Sequence, residues 1–563
     1  MSEELAIVRG IALEEEPGLG ALTLPGFLRE VTGRYAGREA LVIHHPGGEV
    51  ERWSYQETWD RAVAVARSLI ACGVGRDERI GILMTNRLEW VSAFFGIGLA
   101  GATAVGLSTF STPAELEFLM RASGVSTVLF ERSVIAKDFA VILTDLEPAI
   151  AGAAPGQLAA PKFPFLRRLV MVGEGLAGGA IEGWDAFLAR GAAVSPDLVD
   201  ARAAAVKPSD PALLFFSSGS TGKPKGILNA HRGVNIQSWR WNRIYGFDHE
   251  LRTWSANGLF WSGNFSIALG GTFAAGGTLV LQRVFDPAEA LRLFEAERVS
   301  LVYCWPHQWA QLEALPEWDD ADLSSFHYVD AELNLRRPQR TITTKWTEPR
   351  ASYGSTETFT ISTAFPLGTP REVWQGTSGE VLPGNTVKIV DPQTGATLKR
   401  GETGEIAVKG PTLMLGYIGV PNDEALDAEG FYRAGDGGFL DAQGRLVFQG
   451  RINDIIKTGG ANVSPVEVDW ALASCPGVKV CKTTGVPHET MGEMVVTLVA
   501  PEADHPVTGE DVIAFLKARL ASYKVPRRVI FVSDEELGLT GTAKIKPAEA
   551  RALAARKMAD VAA

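Results

Sequence analysis

The stretch FFSSGSTGKPKG, residues 215–226, decides how the chain is read. Two aromatics lead into a run of Ser, Gly and Thr, and two lysines follow with a proline between them. Gly219 and Gly222 let the backbone approach a ligand closely and turn its N–H groups inward, forming a nest for an anion. Ser217, Ser218, Ser220 and Thr221 add hydroxyl donors, and Lys223 and Lys225 add positive charge. The run suits phosphate, although a polar turn has a similar composition. It is not a Walker loop. That loop needs G-x-x-x-x-G-K-[ST] with the lysine opening a helix, whereas Gly219 and Gly222 are three apart and Pro224 follows Lys223.

The surroundings of the run point to α/β layering. It follows the strand-like PALLFF, and further short apolar runs recur at RIGILMTN, Ser126–Phe130, Leu169–Val172, Thr278–Leu281 and Leu301–Tyr303. Residues 54–72 carry Trp59, Ala62, Val63, Ala66, Leu69 and Ile70 at helical spacing. Strands alternating with helices predict parallel sheets with crossovers, and ligands in such sheets sit past the carboxyl ends of strands. Trp90–Leu107 carries no charge over a span-like length, but it contains four glycines. It reads as a buried helix turning into a buried strand rather than a membrane span. Residues 376–450 read as short antiparallel strands. After Arg451, amphipathic helices at 465–475 and 509–521 flank strands such as MVVTLVA, which predicts a small α+β domain, and the Ala-rich tail 547–563 reads as a frayed helix.

The bulk properties exclude several classes. A chain of 563 residues exceeds one ordinary core, so two or more domains are expected. A formal net charge of −12 argues against a general nucleic-acid binder. Cys72, Cys304, Cys475 and Cys481 have no CxxC spacing, which supports neither a disulfide framework nor a zinc site and fits a reducing cytosol. The acidic MSEELAIVRG start lacks the apolar core of a signal peptide. A cytoplasmic protein without an integral membrane segment is expected.

Three further motifs join the first. Tyr353 opens YGSTET, Tyr432 opens YRAGDGGFLDAQGRLVFQGRINDIIKTGGANVSPVEV, and GTAKIKP lies near the end. GVPHETMGEMV at 485–495 and ASYKVPRRVIFV at 521–532 add to the pattern. In this order, from about residue 50 to 547, they resemble the adenylate-forming (ANL) superfamily of acyl-CoA synthetases, luciferases and peptide-synthetase adenylation domains. The resemblance implies an α/β fold. A large N-terminal domain, residues 1–450, would hold two Rossmann-like αβα subdomains and a small β-barrel-like subdomain. A small mobile α+β lid would span 451–563 with its hinge near 453. It also implies the chemistry: a carboxylic acid is activated with ATP to acyl-AMP and pyrophosphate, and a thiol then displaces AMP. Such a reaction joins anions, so positioning and charge neutralisation should dominate catalysis.

Residue roles follow from the resemblance. The loop Ser217–Lys225 would hold the β- and γ-phosphates and release pyrophosphate. Tyr353, Gly354 and Ser355 would border the nucleotide, with Tyr353 beside adenine. Thr356 would contact the α-phosphate, and Glu357 would ligate Mg²⁺, a hard cation that prefers carboxylate oxygen. Asp436 would accept both ribose hydroxyls, and Arg451 would donate to the same sugar. Lys544 matches the family's catalytic lysine, with Lys546 as its rival in the motif. Asn453 takes the hinge position, where the family usually has Asp or Lys; Asn tolerates unusual backbone angles. Gly459 and Gly460 would let the pantetheine arm of coenzyme A pass, and Lys457 would steer a phosphate.

The acid is read from NGLFWSGNFSIALGGTFAAGG, residues 257–277. Here Trp261 follows Phe260 where the family often has His. No Asp or Glu lies between Leu259 and Leu281, which counts against an amino-acid substrate, since its ammonium group would need a partner. Trp239, Trp241, Trp254, Trp261, Trp305 and Trp309 crowd this region; some are expected in the core, and others to wall a bulky apolar pocket together with Gly263. Asp330 and Glu332 stand where the family has a Gly-Gly-Ala turn. The reading is an acid–CoA ligase for a bulky apolar or aromatic acid, with ATP, Mg²⁺ and coenzyme A as the implied small molecules and homodimerisation left open. The competing readings are a medium- or long-chain fatty acyl-CoA synthetase, an enzyme loading a separate carrier protein, and a non-catalytic nucleotide-binding scaffold.

Overall fold

The computed structural model describes residues 4–175, 178–217, 224–329, 346–349, 351–454, 456–458, 461–488, 491–502, 504–520, 524–537 and 547–562. Two layered sheets carry most of the chain. The first has eight strands, in the order Ile181–Gly183, Arg168–Val172, Thr127–Glu131, Arg79–Leu83, Thr103–Gly106, Pro211–Ser217, Lys225–Ala230 and Gly416–Tyr417. It is parallel through Pro211–Ser217, and the last two strands run antiparallel. The second sheet orders Leu301–Val302, Arg252–Ser255, Thr278–Leu281, Glu39–His44 and Val50–Ser54, with only the last strand antiparallel.

Helices Leu24–Tyr35, Tyr55–Ala71 and Leu88–Leu99 share one apolar core with residues of both sheets, among them Ile80, Ile82, Leu41 and Leu279. In helix Leu88–Leu99 every residue but Glu89 is buried, and a helix that is apolar all round belongs inside a large core. It is followed by the buried strand Thr103–Gly106, as expected of Trp90–Leu107. Among the described residues no helix is long and apolar enough to cross a membrane.

The third sheet is the expected set of short antiparallel strands, with two additions to the expectation. Its order is Ile7–Arg9, Thr386–Val390, Gly404–Lys409, Tyr432–Leu440 and Leu446–Arg451, all antiparallel. The N-terminal strand supplies one edge, although nothing local in its three residues marks it. The strand Gly416–Tyr417 leaves this segment to edge the eight-stranded sheet. Among the described residues no pairing joins the edges Ile7–Arg9 and Leu446–Arg451. The chain then makes a single 3-10 turn, Ile452–Asp454, and enters a last five-stranded sheet built on the long hairpin Val478–His488 and Gly492–Pro501. The side chain of Asn453 lies outside the described residues.

Helix His231–Tyr245 ties the layers together. The buried His231 accepts the Leu24 N–H at Nδ1, 3.1 Å away. Burial pushes its imidazole down to about 4; the Asp210 carboxylate opposes this shift and Arg76 assists it. The neutral ring is therefore favoured in the fold. Its contribution, on the order of 3 kcal/mol, is complete above its unfolded value near 6.5 and is lost as pH falls toward about 4. The stability gap between wild type and His231→Phe should narrow over that window in denaturant unfolding. A gap independent of pH would mean that the imidazole titrates normally.

Candidate active site

The strands on either side of the anion-loop motif pair with each other. Pro211–Ser217 pairs antiparallel with Lys225–Ala230, and Ser217 faces Lys225 across the ladder. A Walker loop leads into a helix instead, so the spacing argument and the topology agree. Ser218, Gly219, Ser220, Thr221, Gly222 and Lys223 lie outside the described residues, as do Gly459, Gly460, Lys544 and Lys546 near the chain's end and Asp330 and Glu332. Lys225 lies over the Tyr417 ring, 5.0 Å from its centroid. Ile227 pairs with Tyr417 in the neighbouring strand, which fixes that approach.

The YGSTET motif is a tight turn. Thr356–Thr358 form one 3-10 turn, and Phe359 and Thr360 follow with φ of 47° and 84°. Two successive non-glycine residues in this region are uncommon, and each costs about 1–3 kcal/mol that the surroundings must offset. The turn is closed by Thr360 N–H on the Ser355 carbonyl at 2.9 Å and Ser362 N–H on the Tyr353 carbonyl at 2.7 Å. Gly354 is required here: a Cβ would lie 2.0 Å from the Thr360 carbonyl oxygen. Around the turn, the Thr356 and Ser262 hydroxyls are 3.2 Å apart, which joins the anion turn to the expected acyl segment.

Glu357 accepts a hydrogen bond from the Tyr417 hydroxyl at 2.8 Å, and Tyr432 lies 3.2 Å from Tyr417. One proton per hydroxyl makes the direction Tyr432 to Tyr417 to Glu357. Burial raises both phenols above their ordinary value, with the Glu357 charge adding to the effect, so both remain donors. Among the described residues the Glu357 carboxylate is met by a neutral hydroxyl rather than a lysine or arginine, and none form a group of three or more His, Cys, Asp or Glu able to hold a metal. A single half-buried carboxylate fits Mg²⁺, which binds through one or two carboxylates plus substrate phosphates.

Asp436, Arg451 and Tyr353 form the second cluster. Adjacent strands pair Asp436 with Arg451, and Arg451 Nε lies 3.0 Å from one carboxylate oxygen. The Tyr353 hydroxyl donates to the other oxygen at 2.7 Å. Burial raises the Asp436 carboxyl above its usual value, against the lowering effect of Tyr353 and Arg451. Burial and the Asp436 charge also raise the Tyr353 hydroxyl. The Tyr353 ring rests against Phe448, 5.5 Å between centroids. The resemblance set Tyr353 beside adenine; its hydroxyl is the partner of the ribose carboxylate candidate, a link that motif spacing does not carry.

The six tryptophans divide by burial. Trp239, Trp241, Trp254 and Trp309 are buried core residues. Trp261 and Trp305 are 46% and 48% exposed, enough to face a ligand. A Cβ at Gly263 would make only an ordinary contact, 3.5 Å from the Tyr303 hydroxyl, so there is open space beside this backbone. The exposed Phe110 packs edge-on against Phe260, 5.8 Å between centroids, and Phe260 packs against Trp261 at 5.7 Å. Asn86, at the end of strand Arg79–Leu83, pins this segment from the other sheet. Its side chain donates to the Asn257 carbonyl at 2.8 Å and accepts the Leu259 N–H at 3.0 Å. Asn86 and Tyr417 belong to no local motif and act on segments 60 or more residues away; Tyr432 opens one of the quoted motifs, but no role was read for it from the sequence.

The model of the AMP-binding enzyme family matches residues 28–418, and that of the AMP-binding enzyme C-terminal domain matches residues 467–544. A feruloyl-CoA synthase of Amycolatopsis sp is 29% identical over 525 residues, 91% of this chain and 95% of that protein. A mitochondrial medium-chain acyl-CoA ligase, ACSF2, of Rattus norvegicus is 28% identical over 525 residues, 90% of this chain and 84% of that one. A benzoate CoA ligase from Burkholderia xenovorans LB400 superposes with a TM-score of 0.71 at 23% identity, covering 94% of this chain and 99% of that structure.

Proposed function

Because the chain belongs to the AMP-binding enzyme family, whose model matches residues 28–418, we propose that it is an AMP-forming acid–CoA ligase for a bulky apolar or aromatic carboxylic acid. The carrying observation is the contact between Ser262 of the aromatic segment and Thr356 of the anion turn, with Glu357 beside it. An acid lying along Trp261 would present its carboxylate at that junction. The relatives named as acting on feruloyl and medium-chain acyl groups support an acid of this kind.

The reaction runs in two balanced steps. A carboxylate oxygen bonds to the α-phosphorus of ATP as the bond to the bridging oxygen breaks, and pyrophosphate leaves. The thiol of coenzyme A then gives up its proton to solvent, its sulfur bonds to the acyl carbon, and the acyl carbon–oxygen bond to AMP breaks, so that AMP leaves. The Ser217–Lys225 loop would hold the departing phosphates, and Thr356 would donate to the α-phosphate. Asp436 and Arg451 would hold the ribose. Glu357, oriented by Tyr417, would hold Mg²⁺, whose charge would offset that of the phosphates. Lys544 would reach the reacting carboxylate from a C-terminal lid. We take residues 1–450 as the ATP- and acyl-binding domain and 451–563 as that lid, with Asn453 as hinge and Gly459 and Gly460 beside the pantetheine arm. The four cysteines are unpaired, which supports a reducing compartment such as the cytosol.

A pool of aromatic, terpenoid-like and straight-chain acids incubated with ATP, Mg²⁺ and coenzyme A should yield one dominant acyl-CoA by mass spectrometry. Acyl-AMP without acyl-CoA would turn the reading toward a carrier-protein acceptor. A preference for straight-chain acids would favour the fatty acyl reading.

A further inference from the structure

Behind the YGSTET turn lies a buried polar chain that none of the motifs contains. Gln237, fully buried on helix His231–Tyr245, donates through Nε2 to the Ile361 carbonyl at 2.5 Å and to the Thr358 carbonyl at 3.4 Å. These two carbonyls bracket Phe359 and Thr360, the pair held at positive φ. The Gln237 oxygen faces Arg240 Nη1 at 3.4 Å. Arg240 is itself buried: its guanidinium donates to both oxygens of Glu16, at 2.9–3.1 Å, and to the Pro383 carbonyl at 2.5 Å. The chain thus ends on the N-terminal segment and on the loop before the third sheet.

We propose that Gln237 is a positioning residue for adenylation, a clamp that keeps the Thr356–Glu357 turn in its strained form, and that Arg240 and Glu16 fix the clamp in turn. Strained backbone persists only where its surroundings over-determine it. Here the over-determination is visible: one amide bridges the carbonyls on both sides of the strained pair. A buried Arg–Glu pair adds little net stability compared with apolar residues of the same size, but it holds the Gln237 amide in one orientation. The inference rests on the role given above to Thr356.

Gln237→Leu removes both donors at nearly constant volume. In acid-dependent ATP–pyrophosphate exchange it should lower kcat about 10-fold while the KM values for ATP and acid stay within about 2-fold. In a Thr356→Val background the same substitution should cost less than about 3-fold, since coupled residues are non-additive. Glu16→Gln, farther from the turn, should show a smaller loss with the same dependence on Thr356 and serves if Gln237→Leu fails to fold. Equal losses in both backgrounds, or a change confined to KM, would overturn the clamp. The crystal structure of the folded variant decides independently of turnover. Phe359 and Thr360 leaving positive φ supports the clamp even if no acid is activated, whereas an unchanged turn refutes it.

Discussion

Replacing Lys544 by alanine should lower the rate of acyl-adenylate formation by about 10²–10³-fold and leave the second half-reaction nearly intact. The reason is electrostatic. In the proposed reaction two anions, a carboxylate and a triphosphate, would meet at the Thr356 turn. The charges that the described part of the site supplies there are Lys225, packed on Tyr417, and Arg451, paired with Asp436. An ammonium carried by the small domain would bridge the reacting oxygens only while they react. Such stabilisation raises the rate rather than the affinity. The measurement is pyrophosphate release with acid and ATP, run beside thioester formation from synthetic acyl-AMP and coenzyme A. Loss of both halves together would mean a folding defect or a lysine serving both states. A drop below 10-fold would move the role to Lys546.

Asp436→Ala should lower kcat/KM for ATP about 100-fold, chiefly by weakening nucleotide binding. The substitution removes the carboxylate that would accept two ribose hydroxyls, and hydrogen bonds to a charged group contribute roughly 1.5–3 kcal/mol each. It also leaves the buried Tyr353 hydroxyl and Arg451 without their shared acceptor. Asp436→Asn keeps one acceptor oxygen and should lose only about 10-fold. Calorimetric titration with AMP separates binding from chemistry, and thermal unfolding accounts for the stability lost around Tyr353. An unchanged AMP affinity in Asp436→Ala would remove this residue from the ribose site.

The local part of the site was legible and the long-range part was not. Gly354 and the 356–358 turn announce themselves because a tight backbone needs glycine and small hydroxyl residues within a few positions. Asp436 and Arg451 are also readable, since both lie in one motif and face each other across neighbouring strands. Gln237, Asn86 and Tyr417 carry no such mark. Each acts on a segment 60 or more residues away, 121 for Gln237 on Thr358, and no spacing rule reports a contact of that kind. The fold divides in the same way. Periodicity located the helix at 54–72, those of the small domain and several of the parallel strands, but not helices such as Leu24–Tyr35 and His231–Tyr245. It did not show that Ile7–Arg9 closes one edge of the third sheet, because three residues hold too little pattern to pair them with a strand near residue 388.

The single turn Ile452–Asp454 that joins the last two sheets has a consequence for how the two halves find each other. A tether of three residues holds the small domain at an effective concentration in the millimolar range or above, set by chain length rather than by any contact. Docking therefore does not require a sticky interface. The two domains could then meet through a small surface and separate at little cost, which is what the proposed swing of residues 451–563 about Asn453 would need.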